Sequence, residues 1–144
     1  MAALSYQVFT SEPIPFADGA KAPNGAPHIF SSISSTLIFG KTDAVLVDPP
    51  MTIEQAERVA AWVLESGKRL KHVFITHGHG DHWFGTSTLL RRFPNTTVFS
   101  AAGTIDVMRF HADPEFRAQA WDKNFPGADR GHAGHRCDAA WKYL

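Results

Sequence analysis

The stretch from Asp43 to Thr76 limits the possible folds more than any other. It reads "DAVLVD" (43–48), "TIEQAERVAAWVLESG" (52–67) and "KHVFIT" (71–76): an apolar run, an amphipathic helix and a second apolar run. Thr52 and Gln55 have the spacing of a capping box, and Ile53, Ala56, Ala60, Val63 and Leu64 make one apolar stripe. Gly67 is placed to end the helix. "AVLV" has no polar alternation, which predicts a strand buried on both faces. Strands that alternate with such a helix argue for a layered α/β domain.

The flanks agree. "SYQVF" (5–9), "PHIFSS" (27–32) and "STLIFG" (35–40) read as strands, and "GKTD" (40–43) as a hairpin connection. "WFGTSTLLRRF" (83–93) reads as a helix stopped by Pro94, with Arg91 and Arg92 near its negative end. "TTVFS" (96–100) is a further strand and "AAGTIDVMRF" (101–110) a further helix. Asp113-Pro114-Glu115 pairs a cap residue with proline at the first helical position, starting a helix expected to run to about Phe125.

Composition excludes several classes. The 144 residues suit one domain, with 44% hydrophobic and 19% charged residues as in a globular chain. Formal net charge is zero, so no basic surface points to nucleic acid or to an acidic membrane. No run of about 18 apolar residues occurs, and "MAALSYQVFTSEP" does not read as a secretion signal. Cys137 is the single cysteine, which fits a reducing compartment, and the cytoplasm is the expected location. A small-molecule substrate is the expected partner, and the sequence is silent on oligomeric state.

The second apolar run leads into "THGHGDH" (76–82), which places three histidines and an aspartate in six consecutive positions. The dinucleotide fingerprint G-x-G-x-x-G fails here, because Trp83 stands where the third glycine belongs. The zinc-protease pattern H-E-x-x-H fails too, because the loop has no glutamate. Imidazoles and a carboxylate are the donors that zinc and similar divalent ions take. Alternate side chains of an extended loop point the same way, so His77 and His79 can converge on one ion. A turn at Gly80 can send Asp81 and His82 to a second, and Gly78 and Gly80 permit backbone angles that larger residues resist. Two such ions sharing a water would yield a nucleophile near neutral pH.

These residues resemble the metallo-β-lactamase-fold superfamily, whose T-H-x-H-x-D-H signature matches residues 76–82. "AVLVDPP" (44–50) is similar to the family's earlier strand ending in aspartate. The resemblance covers residues 5 to about 126 and implies an αββα sandwich, represented by roughly its N-terminal half. It implies a metal-dependent hydrolase using a zinc-activated water, with one or two zinc ions. His77 and His79 would bind the first ion, and Asp81 and His82 the second. Asp81 would also handle the proton of the attacking water. Asp48 would steady the ligand loop from behind, although it reads equally well as a turn residue ahead of Pro49 and Pro50. Thr76 would support the loop. His28 and His72 read as structural, and His111 as a helix-end or loop histidine. The family's remaining ligands, two histidines and a bridging aspartate, come from strands far beyond the signature. An incomplete site is therefore expected, with a truncated, non-catalytic metal-binding product as one alternative. An iron-dependent oxidoreductase on the same fold is another, since these donors suit iron as well.

The last eighteen residues, "GADRGHAGHRCDAAWKYL" (127–144), contain no Val, Ile, Thr or Phe, so a buried strand is not expected there. His132, His135 and Asp138 could be imagined as late ligands, but glycines surround the histidines and no strand is expected to hold them. The expected organisation is therefore 1–126 as the half domain and 127–144 as an atypical, flexible tail. The break predicts that residues from about 127 are not the fold's native continuation, as a shifted reading frame, a retained intron or an early stop would produce. The coding DNA read in its other frames would then carry a strand-rich continuation with His and Asp.

Overall fold

The computed structural model describes residues 3–131 and the backbone of 141–143. Strands β1 (Ser5–Thr10), β4 (Ser34–Phe39), β5 (Asp43–Val47), β6 (Arg69–Ile75), β7 (Thr97–Ser100) and β8 (Trp141–Tyr143) form one sheet in the order β1-β4-β5-β6-β7-β8. β1, β4 and β5 pair antiparallel, whereas β5, β6, β7 and β8 run parallel. The two-residue strands β2 (Ile14–Pro15) and β3 (Ile29–Phe30) pair separately, so "PHIFSS" contributes only a short bridge. The predicted "GKTD" connection closes with the Gly40 N–H donating to Asp43 O at 3.0 Å.

Helix α1 (Ile53–Glu65) connects β5 to β6 and carries the predicted capping box. Thr52 Oγ1 accepts the Gln55 N–H at 3.2 Å, and Gln55 Oε1 accepts the Thr52 N–H at 3.3 Å. Helices α2 (Thr86–Arg92) and α3 (Ala102–Ala112) follow β6 and β7. Val59 and Val63 of α1, Leu89 of α2, and Ile105 and Met108 of α3 join Leu37, Leu46, Val73, Ile75 and Val98 of the sheet in one core. The opposite face is less covered. Register places Tyr6, Ile38, Val45, His72 and Thr97 in one row across it, and Val8, Thr36, Val47, Phe74 and Phe99 in the next. Tyr6, Val8 and Ile38 are exposed and the others are half-buried. β5 is thus buried on one face only, and its apolar run reflects a half-covered second face. The architecture is α/β, one sheet with its helices, and forms part of the expected sandwich.

The β5–β6 pairing contains one irregularity. Ala44 lies opposite Leu70, but Val45 lies opposite His72, so Lys71 has no cross-strand partner. This bulge lets Leu70, Val73 and Ile75 all face the core despite their uneven spacing.

Two helical predictions shift. The segment 83–93 becomes helical only at Thr86, because Gly80–His82 first make a 3₁₀ turn. The helix begun by Asp113 and Pro114 is regular only over α4 (Pro114–Arg117) and then widens into a π turn over Ala118–Asp122.

The residues just past 126 pack against the half domain. Ile53 N–H donates to Gly127 O at 3.1 Å and Asp129 N–H to Met51 O at 3.0 Å, laying residues 127–129 along the start of α1. The buried Asp129 then caps α2, which follows Gly85 and has no side chain of its own for the purpose. Its Oδ2 accepts from Ser87 Oγ at 2.6 Å, Thr88 Oγ1 at 2.6 Å and Thr88 N at 3.0 Å. Trp141–Tyr143 also pair with β7 as β8, at the edge of the sheet. His132, His135, Cys137 and Asp138 lie outside the described residues.

Burial alone would raise the Asp129 carboxyl, but hydrogen bonds from Ser87, Thr88 and the Gly131 N–H outweigh it and hold the group below the usual carboxylate range. Its contribution is therefore present above that range and lost as pH falls through the lowered folded value. Asp129→Asn should cost about 1–3 kcal/mol in urea unfolding at neutral pH, by leaving buried donors unpaired. It should also flatten the acid limb of the stability profile.

Candidate metal centre

β6 ends at Ile75, and the next residue is gripped by a carboxylate from the end of β5. Asp48 Oδ1 accepts the Thr76 N–H at 2.8 Å, and its Oδ2 accepts the Thr76 hydroxyl. Oδ2 also lies 3.1 Å from His82 Nδ1. The main chain of Asp48 is held as well, its N–H donating to Phe74 O at 3.0 Å and its carbonyl accepting from Ser35 Oγ at 2.6 Å. Asp48 has φ of 53°, a left-handed conformation made harder by the following proline. Such a residue persists only where its surroundings over-determine it.

The loop beyond Thr76 is shaped by lack of room. Gly78 and Gly80 do not have positive φ, so the expected conformational reason for them does not apply. A Cβ at Gly78 would lie 2.5 Å from Val107 Cβ and 2.8 Å from Met108 N, on α3. A Cβ at Gly80 would run into the Phe84 ring. Trp83 Nε1–H donates to Gly78 O at 2.9 Å, closing the turn from the other side.

In this turn the imidazoles crowd together. The His77 ring lies 3.9 Å from that of His82 and 5.1 Å from that of His79. Asp48, His77 and His82 each bring one donor atom to within 4.8 Å of the others. His79 stands beside this group and outside it. Asp81 Oδ2 lies 3.3 Å from His82 Nε2, so both nitrogens of His82 face carboxylates. Thr76 Oγ1 lies 3.1 Å from His77 Nδ1. The four loop residues are thus neighbours, but the converging trio joins His77 and His82 to Asp48, expected behind the ligands, and leaves His79 and Asp81 beside it.

Two carboxylates flank His82 and set the electrostatics of the group. Burial alone would lower His82, but its bonds to Asp48 and Asp81 raise it to about 9. Burial would raise Asp48 and Asp81, and the bonds from His82 and, for Asp48, from Thr76 hold both below the usual carboxylate range. Burial and the neighbouring His82 lower His77. In the ion-free protein a charged His82 offsets one of the two carboxylates, a role that a bound cation would take over. Mixed imidazole nitrogen and carboxylate oxygen donors of this kind fit a divalent transition-metal ion.

Sequence reading missed a contributor. His111, in the last turn of α3, is buried, and its Nδ1 accepts the Gly80 N–H at 3.3 Å and the Trp121 Nε1–H at 3.1 Å. Nothing local in the sequence marks this, since Gly80, His111 and Trp121 meet only through the tertiary fold. His28 stacks on Phe16 at 4.0 Å and His72 meets Phe99 edge-on at 5.1 Å, both away from the loop.

Comparison with known proteins accords with this geometry. Residues 28–136 match the family described as the metallo-beta-lactamase superfamily, a span that passes the compositional break at 127. Hydroxyacylglutathione hydrolase 1 of Vibrio vulnificus (strain YJ016) is 31% identical over 67 residues, 46% of this chain and 26% of that protein. The hydroxyacylglutathione hydrolase of Prochlorococcus marinus (strain MIT 9303) is 42% identical over 67 residues, 46% of this chain and 24% of that one. The matched segment therefore spans about a quarter of each relative's length. Among solved structures, the metallo-beta-lactamase SMB-1 with mercaptoacetic acid superposes with a TM-score of 0.52 and 28% identity, covering 78% of this chain and 40% of that one. The mono-zinc form of FIM-1 from Pseudomonas aeruginosa has a TM-score of 0.52 and 17% identity, covering 73% and 42%, and supports the fold alone. No helix among the described residues is long and apolar enough to cross a membrane.

The close approach of the loop to α3 yields a paired prediction. Gly78→Ala should destabilise the protein by about 1–3 kcal/mol, as overpacking does. Gly103→Ala, on α3 with open space around it, should be neutral or stabilising. Thermal unfolding of the two variants checks this, and equal effects would refute a packing role for Gly78.

Proposed function

The chain belongs to the metallo-β-lactamase superfamily, and we propose that it is built for metal-dependent hydrolysis of a small acyl substrate. The observation that carries this reading is the convergence of Asp48, His77 and His82 beside Asp81 at the carboxyl ends of parallel strands. His77, His79, Asp81 and His82 would hold one or two ions. Zinc is the expected metal, and iron suits the same donors. The bound ion would supply a water acidified towards neutral pH and a Lewis acid for the substrate oxygen.

The chain's own residues have distinct tasks. Asp48 and Thr76 fix the two ends of the ligand turn, so His77 and His82 are presented without reorganisation. Asp81, whose Oδ2 lies 3.3 Å from His82 Nε2, would accept the proton of the attacking water and return it to the leaving atom. The named substrates of the relatives, hydroxyacylglutathione and β-lactam, are both acyl compounds, which favours a thioester or lactam carbonyl over a phosphoester. A cytoplasmic setting, with its reduced thiols, suits the same reading.

Metal content tests the proposal first. Purified protein dialysed against buffer with a trace of free zinc should retain about one or two ions per chain. Near-zero retention would overturn the metal-centre reading. For metal-loaded protein that hydrolyses a thioester or lactam, Asp81→Asn should lower kcat by about 10²–10⁴-fold, the range for loss of a positioned base.

A further inference from the structure

Beyond the four loop residues, the histidine on α3 has a geometry that a packing role alone does not require. The Gly80 N–H that His111 Nδ1 accepts belongs to the peptide joining His79 to Gly80, within the run of ligands. The His111 ring also stacks on the His79 ring, with centroids 5.2 Å apart and planes 28° from parallel. One histidine therefore holds both the side chain of one ligand and the peptide that leads to the next. We propose that His111 is a positioning residue for the metal-binding loop, orienting His79 and the His79–Gly80 peptide so that His79 and Asp81 present their donors together. This inference rests on the metal-centre reading above.

The support for His111 is itself organised. Two N–H donors converge on Nδ1, so that nitrogen is the acceptor and the ring hydrogen resides on Nε2. The second donor, Trp121, sits in the π turn over Ala118–Asp122, and such widened turns concentrate at functional positions. Trp121 packs edge-on against Phe84 at 5.4 Å, and Phe84 is the ring that leaves no room for a Cβ at Gly80. The ligand loop, Phe84, Trp121 and His111 form a closed ring of contacts around Gly80. A histidine that merely filled space would need neither the bond to a ligand-loop peptide nor stacking on a ligand.

The test uses the whole chain, with two variants that separate the acceptor from the ring. His111→Phe keeps an aromatic face and removes the acceptor. His111→Asn keeps an acceptor near the position of Nδ1 and removes the ring. In metal-free protein, the Gly80 amide should exchange about tenfold or more faster in His111→Phe than in the parent. His111→Asn should restore most of that protection. With Co(II) as the probe, His111→Phe should bind about 10–100-fold more weakly, as loss of a supporting partner does. Its visible spectrum should change relative to the parent. Unchanged Gly80 exchange in His111→Phe would overturn the inference whether or not metal binds. Failure of the parent to take up Co(II) would instead overturn the proposed function, while the exchange data still decide the role of His111. Should His111→Phe fail to fold, the nitrogen spectrum of His111 in the unmodified protein decides: hydrogen on Nε2 supports the assignment, and hydrogen on Nδ1 overturns it.

Discussion

Asp48 is the junction at which β4, β5, β6 and the ligand turn are locked together. Its carbonyl receives the Ser35 hydroxyl, its N–H reaches Phe74, and its carboxylate takes both Thr76 donors and faces His82. A left-handed residue before proline costs about 1–3 kcal/mol, and it is retained because five contacts from four residues oppose its relaxation. The cost is local, while its benefit is spread along the loop. If the carboxylate turned away, Thr76 would lose two bonds and His82 one of its two acidic neighbours.

The centre is consequently pinned from two sides, by Asp48 at the strand ends and by α3 at Gly78 and Gly80. These supports differ in how readily a sequence discloses them. The ligand turn was legible because its donors lie in six adjacent positions, and the helix before it because Thr52 and Gln55 cap it locally. Asp48 was half legible, its place at the end of an apolar run being visible and its bonds to Thr76 not. The glycines were legible as residues, yet the reason for them lies in Val107, Met108 and Phe84, which only the fold brings near. His111 was passed over as a helix end. It is one, but its partners are thirty-one residues before it and ten after it.

The same distinction explains the end of the chain. Composition after Pro126 argues against a strand, and propensity is a sound guide while each segment is judged alone. Asp129 is instead recruited by a helix start that lacks its own cap, and β8 by the open edge of β7. Neither demand is visible in residues 127–144 themselves. Each belongs to an element earlier in the chain that is left with unpaired backbone groups.

The bulge at Lys71 has an effect that reaches past its own strand. Side chains alternate along β6, so an unbroken ladder would put residues 70, 72, 74 and 76 on one face. With Lys71 looped out, the phase of the strand inverts, and Leu70 shares the core face with Val73 and Ile75. Thr76 then emerges on the side where Asp48 waits, and the ligand turn departs toward α3 and not across the uncovered face of the sheet. A single looped-out lysine six positions ahead of His77 thus lets the strand keep Leu70 in the core and still offer Thr76 to Asp48.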